Sequence, residues 1–481
     1  MNRDEIKEKE LEFLAREYKK HPQLFKRETF IDNSKFLEKF GIFIRDKDDL
    51  PLGYIKLWPQ DFIVEEISED NQIYRINSEN FFDKTRSFST KDPTIYATLV
   101  KCGLSTIEVV KELSKILNLE KDYNPPTTQI QFAGIKDKDA ITSQLISFRK
   151  INIDELQKID SPYLFLKNIY SGKGTVEIGG LKGNEFTIFV RTDSSFRERN
   201  FLKNLKNIEK EGFYNFFYLQ RFGTPRLINF YWGLFILRGE YEKAVLSFLS
   251  SPGKRELLYF QKLREGIKEN FGSWLKIEEI LDSFPIIFQN ERKIVSYLKE
   301  NPKDFVGALN QIPQQIQLWL FAYGSWLFNK KLSFYFKKKV NPPQEMPLIL
   351  SQDKRDWLFY KEFLRENKIF SMPLKNIKIF PGVQWKRREI KTVEKVRILQ
   401  IKIIPEGVIL NFTLPKAAYA TTFLAHLFNL VSGLPPKNIS PLPIDTKATL
   451  DKGSLEEVLN RFKDVIRPKT EDILEKLSQN K

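Results

Sequence analysis

The chain has 481 residues, which is enough to bury large cores and predicts two domains or one domain with an insertion. Its formal net charge of +16 indicates a polyanionic partner, either nucleic acid or a membrane surface. A single cysteine, Cys102, excludes disulfides within the chain, and with two histidines, His21 and His426, leaves too few ligands for a Cys/His zinc site.

The charged N-terminus and the short apolar runs predict whether the protein is secreted or inserted in a membrane. The N-terminus has no apolar run, so we expect no signal peptide. No segment reaches the roughly 18 apolar residues that a membrane-spanning helix needs. The longest candidate, residues 316–328, is too short and contains Gln317. These features predict a soluble protein of a reducing compartment, most simply the cytoplasm.

The first part of the chain predicts a helix followed by strands. Residues 4–20 predict a charged helix, which we expect to be a solvated extension, with contact to RNA as the alternative. Residues 53–66 predict two strands around a proline-containing turn, which on the residues alone is an ordinary hairpin. Residues 104–119 predict a helix that starts at a capping box, Ser105 and Glu108, and its apolar residues at helical spacing predict that it packs on the core.

A charged loop separates two further predicted strands, 127–132 and 141–148. After Gly134 it contains Lys136, Asp137, Lys138 and Asp139. Strand ends often carry catalytic groups, because rigid strands orient a side chain that the loop exposes. An aspartate between two lysines should stay ionised, which favours a nucleophile over a general acid. On the residues alone, a solvated turn and a hydrolytic carboxylate pair, Asp137 with Asp139, are the alternatives.

Two later stretches predict buried structure. Residues 180–191 predict a glycine-led turn and a strand in which Phe186 is a core residue. Residues 215–223 predict a buried strand with one polar pair, Gln220 and Arg221.

From about residue 225 to 375 the pattern changes to helices, with predicted segments 240–250, 254–271, 294–300, 314–338 and 353–366. Residues 396–404 and 408–414 then predict a hairpin that turns at Glu406 and Gly407. The following helix carries His426 on an apolar face, which predicts a packed histidine rather than an acid or base. The last thirty residues predict a charged helix and tail of unknown purpose.

Five of these stretches carry the motifs of one family in the family's order. The loop matches the pattern Gly-x-Lys-Asp-(Lys/Arg)-x-Ala-x-Thr-x-Gln at Gly134, Lys136, Asp137, Lys138, Ala140, Thr142 and Gln144. The others are Gly-x-Ile-Lys-x-x-Pro-x-Asp-Phe-x-Val-x-Glu at 53–66, Gly-Asn-x-Phe at 183–186, Asn-(Tyr/Phe)-Phe-Gly-x-Gln-Arg-Phe-Gly at 215–223, and Phe-x-Leu-Pro-x-Gly-x-Tyr-Ala-Thr at 412–421. Over about residues 51–432 the chain therefore resembles the TruD family of tRNA pseudouridine synthases. It departs from the pattern at Tyr218 and Ala417, where glycine is usual, and at Ala425 and His426, where an Arg-Glu pair is usual.

The resemblance implies an α+β fold. This is the pseudouridine synthase fold, with a mixed, largely antiparallel central sheet built from both chain halves and a helix-rich inserted TRUD-type domain. The expected domains are a charged N-terminal extension at 1–50, a catalytic domain in two parts at 51–224 and 376–450, the inserted domain at 225–375, and a charged C-terminal helix and tail at 451–481.

The resemblance also implies roles for the site residues. Asp137 falls on the family's catalytic aspartate, and Phe186 falls on the phenylalanine that stacks on the target uracil. Asn184 is expected to hold the loop or the nucleotide, and Lys56 to pair with Asp137 or contact a phosphate. The remaining expected substrate-binding residues are Lys136, Gln220 and Arg221. No metal and no cofactor is expected.

The function implied is isomerisation of uridine to pseudouridine in RNA, with uridine 13 of tRNA as the expected target. The expected partner is tRNA, with no membrane and no obligate protein partner. The alternative is an RNA-binding protein or tRNA chaperone without catalysis, which the departures at Tyr218, Ala417 and Ala425-His426 keep open.

Overall fold

The computed structural model describes residues 3–77, 93–119, 129–349, 351–384 and 387–479. The described chain forms two compact units. The sheet unit comprises Lys47–Phe213 and Glu394–Glu471, and the helical unit comprises Met1–Asp46, Tyr214–Val393 and Asp472–Lys481.

The strands are β1 (Thr29–Ile31), β2 (Leu52–Tyr54), β3 (Phe62–Ile67), β4 (Thr94–Lys101), β5 (Ile130–Phe132), β6 (Ile141–Arg149), β7 (Leu164–Gly172), β8 (Gly183–Arg191), β9 (Phe213–Tyr214), β10 (Glu345–Pro347), β11 (Glu389–Lys391), β12 (Val393–Glu394), β13 (Arg397–Ile404), β14 (Gly407–Pro415) and β15 (Asn429–Gly433). The helices are α1 (Arg3–Lys20), α2 (Ser34–Glu38), α3 (Thr106–Ile116), α4 (Ile153–Gln157), α5 (Glu198–Glu211), α6 (Asn229–Arg238), α7 (Tyr241–Ser250), α8 (Leu258–Glu269), α9 (Trp274–Leu281), α10 (Gln289–Glu300), α11 (Phe305–Asn310), α12 (Pro313–Lys337), α13 (Lys354–Phe359), α14 (Lys361–Glu366), α15 (Leu374–Lys378), α16 (Ala420–Ala425), α17 (Thr446–Thr449), α18 (Glu456–Arg461) and α19 (Ile473–Gln479).

Strand β8 is central in the sheet unit. It pairs antiparallel with β14 along one edge and with β3 along the other. Beyond β3 the order continues through β6 and β4 to β7, and β5 also pairs with β6. The β3–β6 and β2–β15 pairs are parallel, whereas β4 is antiparallel to both of its neighbours. The expected mixed, largely antiparallel sheet built from both chain halves is confirmed.

The two faces of this sheet carry separate apolar layers, because successive side chains of a strand point to opposite faces. On one face α3 packs through Val109, Val110 and Leu113 against the strands. Its N-terminus has the predicted capping box, in which Ser105 accepts from the Glu108 backbone and Glu108 accepts from the Ser105 backbone. On the other face, residues of and around α18 cover β3, β4 and β6.

The helical unit is built around α12, which packs against α6. Asn329 of α12 is fully buried because its amide is satisfied by backbone groups: it donates to the Phe40 and Phe217 carbonyls and accepts from the Phe217 N–H. No helix in the described part of the chain has both the length and the apolar character to cross a bilayer.

The N-terminal residues differ from the expected solvated extension. Glu10 is buried and accepts from the backbone N–H groups of Ile286 and Ile287, and the rings of Phe13 and Phe284 meet edge to face. The prediction was wrong because the apolar face of α1 is covered by distant residues of the helical unit.

Other sequence predictions have mixed outcomes. The hairpin at 53–66 is wrong: β2 pairs with β15 and β8, and β3 pairs with β6 and β8. The helix predicted at 353–366 is split at Tyr360 into α13 and α14. Residues 127 and 128 of a predicted strand lie outside the described residues. The predicted domain boundaries at 50, 224, 375 and 450 stay predictions. The two compact units of the structure change over after residues 46, 213, 393 and 471.

Candidate active site

The loop between β5 and β6 presents Asp137 to a lysine from a distant part of the chain. The Lys56 ammonium donates to Asp137 Oδ2 over 2.8 Å. The lysine side chain is buried, whereas the aspartate side chain remains 39% exposed. Asp137 is therefore an accessible carboxylate held by a charge-assisted hydrogen bond.

The turn between β2 and β3 orients Lys56. Its backbone is left-handed, with φ +59°, which is uncommon for a residue with a Cβ. The ammonium also lies 4.2 Å from the centroid of the Phe62 ring. The end of the turn is fixed by Asp61, which accepts two hydrogen bonds from Arg191 of β8 in a fully buried pair. A strained lysine on an anchored turn is typical of a functional site.

A second buried lysine holds the backbone of the same loop. Lys101, at the end of β4, donates to the Asp137 carbonyl over 2.6 Å and to the Leu104 carbonyl over 2.8 Å. Burial lowers the pKa of its ammonium to about 8, although the attraction of Asp137 opposes this. Lys101 thus joins the backbone of the loop between β5 and β6 to the segment that leads into α3. Sequence analysis assigned it no role.

Motif side chains form a hydrogen-bonded frame around the loop. Gln144 of β6 donates to the Gly134 carbonyl and accepts from the Thr106 hydroxyl. Thr106 in turn accepts from the Lys136 backbone N–H over 2.8 Å. These bonds connect the first part of the loop with β6 and with the start of α3, so the motif's glutamine and the threonine of the preceding segment have a structural reason to be present.

The side chain of Lys136 points away from solvent. Its ammonium lies 2.7 Å from Glu66 Oε2 and donates to Asn184 Oδ1 over 2.7 Å, and both charged side chains are almost fully buried. Glu66 also accepts from the Leu145 backbone N–H. Lys136 and Asn184, both expected to bind substrate, are thus in contact with each other and link the loop to β3 and β8.

Phe186 lies on β8 between two other aromatic rings. It stacks on Phe412 at a centroid distance of 5.3 Å and meets Phe62 edge to face at 6.2 Å. Asn411 of β14 donates to the Phe186 carbonyl. The residue is 7% exposed, so stacking on a base requires its ring to become more accessible than in this conformation.

The electrostatics of the loop favour an ionised Asp137. Burial alone would raise the pKa of its carboxyl, but the charge and hydrogen bond of Lys56 lower it, with help from Lys101 and Lys469. The net result is a pKa below the ordinary aspartate value. A carboxylate in this state is suited to nucleophilic attack and unsuited to proton donation.

Gln220 and Arg221 belong to the helical unit, in a 3-10 turn over Leu219–Phe222 rather than in the predicted strand. The Arg221 guanidinium lies over the ring of Phe217 at 5.1 Å. Their expected contact with RNA stays a prediction.

The three departures from the family pattern have different local settings. Tyr218 has an ordinary extended backbone, and its hydroxyl donates to Asp32 over 2.7 Å, so the position does not require glycine. Ala417 has φ +69°, where the family's glycine would be unstrained. His426 is partly buried, its Nδ1 lies 2.8 Å from the Thr422 carbonyl, and burial lowers its pKa to about 4.

Among the described residues, no cluster of three or more histidine, cysteine or acidic side chains is arranged to hold a metal. The two site residues that sequence analysis missed are Lys101 and Lys469. Lys101 precedes the predicted capping box and begins a Lys-x-Gly-x-(Ser/Thr)-Thr stretch that is similar to one in the family, and these were the signals available for it.

The fold is a mixed sheet, and the loop after one of its strands holds an ionised aspartate, Asp137. This combination was compared with proteins of known family and structure. A protein from Methanosarcina mazei, whose crystal structure is described as that of the "putative tRNA pseudouridine synthase D (TruD)", has a similar fold: the TM-score is 0.60 at 23% identity, covering 81% of this chain and 97% of that one. The sequence model of the family described as "tRNA pseudouridine synthase D (TruD)" matches residues 42–363. The chain therefore belongs to the TruD family.

Named relatives agree with this membership. The tRNA pseudouridine synthase D of Aquifex aeolicus is 26% identical over 78% of this chain and 97% of its own length. A protein of Methanosarcina barkeri named probable tRNA pseudouridine synthase D is 30% identical over 60% of this chain. The chain spans only 51% to 62% of the length of the matched Methanosarcina relatives.

Proposed function

We propose that the protein converts uridine 13 of tRNA to pseudouridine, with Asp137 as the nucleophile. The observation that carries the proposal is the ionised, accessible Asp137 carboxylate paired with the buried Lys56 at 2.8 Å. Membership in the TruD family supports the reaction class, and the names of the relatives support tRNA as the substrate.

The proposed reaction rearranges bonds within one nucleotide. The bond between uracil N1 and ribose C1′ breaks, the uracil turns, and a bond between C5 and C1′ forms. C5 loses a proton and N1 gains one, so neither an oxidant nor a co-substrate is consumed. Asp137 drives the cleavage while Lys56 keeps it charged, because an opposite charge at hydrogen-bond distance favours the carboxylate.

The base must leave its stack before this chemistry can occur. We assign Phe186 to hold the extruded uracil, since an aromatic ring replaces part of the stacking energy that the base loses. Asn184 and Lys136 support the strand and loop around it through their 2.7 Å hydrogen bond. Gln220 and Arg221 are proposed to contact the RNA. The cytoplasm is the proposed compartment, and we propose no obligate protein partner.

The experiment maps pseudouridine by carbodiimide labelling and reverse transcription on unmodified tRNA transcripts. Wild-type protein is expected to produce a stop at uridine 13, whereas Asp137→Asn binds the transcript and produces none. Asp139→Asn is the matched control on the same loop, because Asp139 is 63% exposed and makes no contact with Lys56 in the structure. It should retain activity.

Each other outcome points elsewhere. Pseudouridine made by Asp137→Asn would refute the assignment of the nucleophile. Equal loss in both variants would favour the carboxylate pair, although the lowered pKa of Asp137 argues against a role as general acid. Tight binding without pseudouridine on any transcript would favour an RNA-binding protein without catalysis.

A further inference from the structure

The end of α14 turns the chain back on itself in the helical unit. The turn is a Schellman motif, in which a left-handed residue lets two N–H groups bond back to the helix. Lys368 has φ +55°, and its N–H donates to the Arg365 carbonyl over 2.9 Å. The next N–H, of Ile369, donates to the Leu364 carbonyl over 2.9 Å. This geometry places Ile369 beside Leu364 and lets the following residue, Phe370, leave the turn toward solvent.

An open cavity of about 220 Å³ lies between this turn and the helices α13 and α14; we call it the α14 cavity. Its inner wall is apolar, with the buried residues Trp357, Leu364 and Ile369. At its mouth, Phe370 is 81% exposed and Leu358 is 62% exposed. An apolar cavity of about 150 Å³ can hold one benzene molecule. The α14 cavity therefore suits a single flat ring system rather than a large ligand.

Hydrogen bonds fix the walls of the α14 cavity before any ligand enters. The Trp357 indole Nε1 donates to the Ser351 carbonyl over 2.9 Å. The carbonyl of Asn367, in the turn, accepts from Arg238 Nε of α6 over 2.8 Å. A preformed wall loses little freedom on binding, which favours affinity. The Phe370 ring, by contrast, stacks on no aromatic ring among the described residues, so both of its faces are available.

The rim of the α14 cavity is positively charged. Lys354, Lys361 and Arg365 line it, and all three are exposed. Within the described part of the chain their charged groups make no ion pair or hydrogen bond. The described lining includes no acidic side chain, and Asp356 of α13 pairs with Arg387. The surface is therefore complementary to a ligand with a flat apolar body and negatively charged ends.

We propose that the α14 cavity binds one unpaired nucleotide of the RNA substrate. The base stacks on Phe370 and covers the apolar wall, and the phosphates on either side of it pair with the cations of the rim. Exposed aromatic rings beside basic side chains are typical of sites for single-stranded nucleic acid. Arg365 can hold a phosphate through two parallel hydrogen bonds, whereas Lys361 acts as a point charge.

The inference rests on the proposed function only in taking the partner to be RNA. An acidic protein segment with apolar side chains has similar chemistry. Membership in the TruD family favours RNA, because the family model is described as a tRNA pseudouridine synthase. A single cavity of this size also suits one base better than the several side chains of a docked helix.

The test measures the binding of labelled single-stranded oligouridine to the full-length protein. Phe370→Ala should weaken binding by about 5- to 100-fold, the range for the loss of one base–ring stack. Its salt dependence should stay that of wild type, since no charge is removed. Phe370→Trp should restore the affinity. Lys361→Met should reduce the magnitude of the slope of log K against log salt by about 0.7, the value for one phosphate of a single strand.

A photochemical measurement locates the base directly. Oligouridine that contains 5-iodouridine is irradiated in the complex, and the crosslinked peptide is identified by mass spectrometry. The crosslink should fall on the peptide that contains Phe370, and Phe370→Ala should lose it. Wild-type affinity in Phe370→Ala, or a wild-type protein without this crosslink, would overturn the proposal.

The matched controls are Leu275→Ala and Lys268→Met, both in the helical unit. Leu275 of α9 is 66% exposed, and Lys268 of α8 is an exposed lysine. An equal loss of affinity in Leu275→Ala, or an equal change of slope in Lys268→Met, would mean a general surface effect and would overturn the proposal.

Two further outcomes separate the alternatives. If Phe370→Ala keeps its RNA affinity but no longer binds a synthetic peptide of glutamate and leucine, the cavity belongs to an acidic protein segment and the proposal is overturned. If wild-type protein makes no pseudouridine on any transcript, the proposed function fails, while the affinities and the crosslink still decide whether the α14 cavity binds RNA. An active enzyme without the crosslink overturns the cavity proposal alone.

Discussion

Replacing Lys136 by methionine separates a structural role from direct substrate binding. The ammonium of Lys136 lies between Glu66 and Asn184, and the exposed fractions of the lysine and glutamate side chains are 4% and 2%. Methionine has a similar length but no charge, so Glu66 would be left as an unpaired buried carboxylate. Breaking one side of a buried ion pair costs about 3–5 kcal/mol. We expect the free energy of unfolding of the sheet unit to fall by this amount.

The measurement must report the sheet unit alone, because the chain has two compact units and a single transition cannot be assumed. Hydrogen exchange of peptides that cover β3 and β8 gives the local opening free energy. The double variant Lys136→Met with Glu66→Gln removes both charges. It should recover at least about 2 kcal/mol relative to Lys136→Met, since the cost of the unpaired charge disappears.

The reasoning would be refuted by a Lys136→Met protein that loses less than about 1 kcal/mol while its tRNA affinity falls strongly. That result would mean that the lysine leaves Glu66 and contacts RNA. Failure of Glu66→Gln to rescue any stability would also contradict the ion-pair explanation.

Three further predictions concern the sheet unit. The His426 pKa of about 4, against an ordinary 6.5, means that stability present above pH 6.5 is lost as the pH falls toward 4, by up to about 3 kcal/mol. The opening free energy of sheet-unit peptides, measured by hydrogen exchange between pH 7 and 4.5, should decline less in His426→Gln than in wild type, and parallel curves would contradict the assignment. Ala417→Gly should raise the free energy of unfolding by up to about 1 kcal/mol, because it relieves the left-handed alanine at φ +69°; a lower thermal midpoint would contradict this. Gly183→Ala should lower that free energy by about 1–3 kcal/mol, since the new Cβ would lie 2.2 Å from the Leu414 carbonyl oxygen where β8 meets β14. An unchanged opening free energy of the sheet unit in Gly183→Ala would contradict this, because it would mean that β8 and β14 move apart to admit the methyl group at no cost.

Local patterns in the sequence predicted local structure well. The capping box at Ser105 and Glu108 starts α3, and the alternation after Asp139 predicts β6. The hairpin at 53–66 failed because adjacent strands need not pair, and β3 takes its partners from β6 and β8 instead. Residue propensity and spacing along the chain do not indicate which strands pair with each other in the sheet.

The candidate site was predictable only in part, for the same reason. Lys56 and Asp137 are 81 residues apart, so their pairing was expected from the family resemblance and not from any local pattern. Lys101 and Lys469 were missed because each acts through contacts made by the folded chain. A lysine's burial and partner are decided by tertiary structure, which a charge pattern cannot reveal.

The lysines around the loop contact different groups: Lys101 and Lys136 hold the loop, and Lys56 pairs with the Asp137 carboxylate. Lys101 donates to the backbone carbonyl of Asp137. Lys136, the residue before Asp137, pairs with Glu66 of β3. Among the described residues, it is the Lys56 ammonium that donates to the carboxylate. Lys56 lowers the pKa of Asp137 most, with help from Lys101 and Lys469, so removal of Lys56 should weaken the ionised state without releasing the backbone that Lys101 holds. An aspartate whose backbone is held by Lys101 and whose charge depends mainly on Lys56 can change its carboxylate partner during a reaction while its backbone stays still, as the proposed attack on a nucleotide requires.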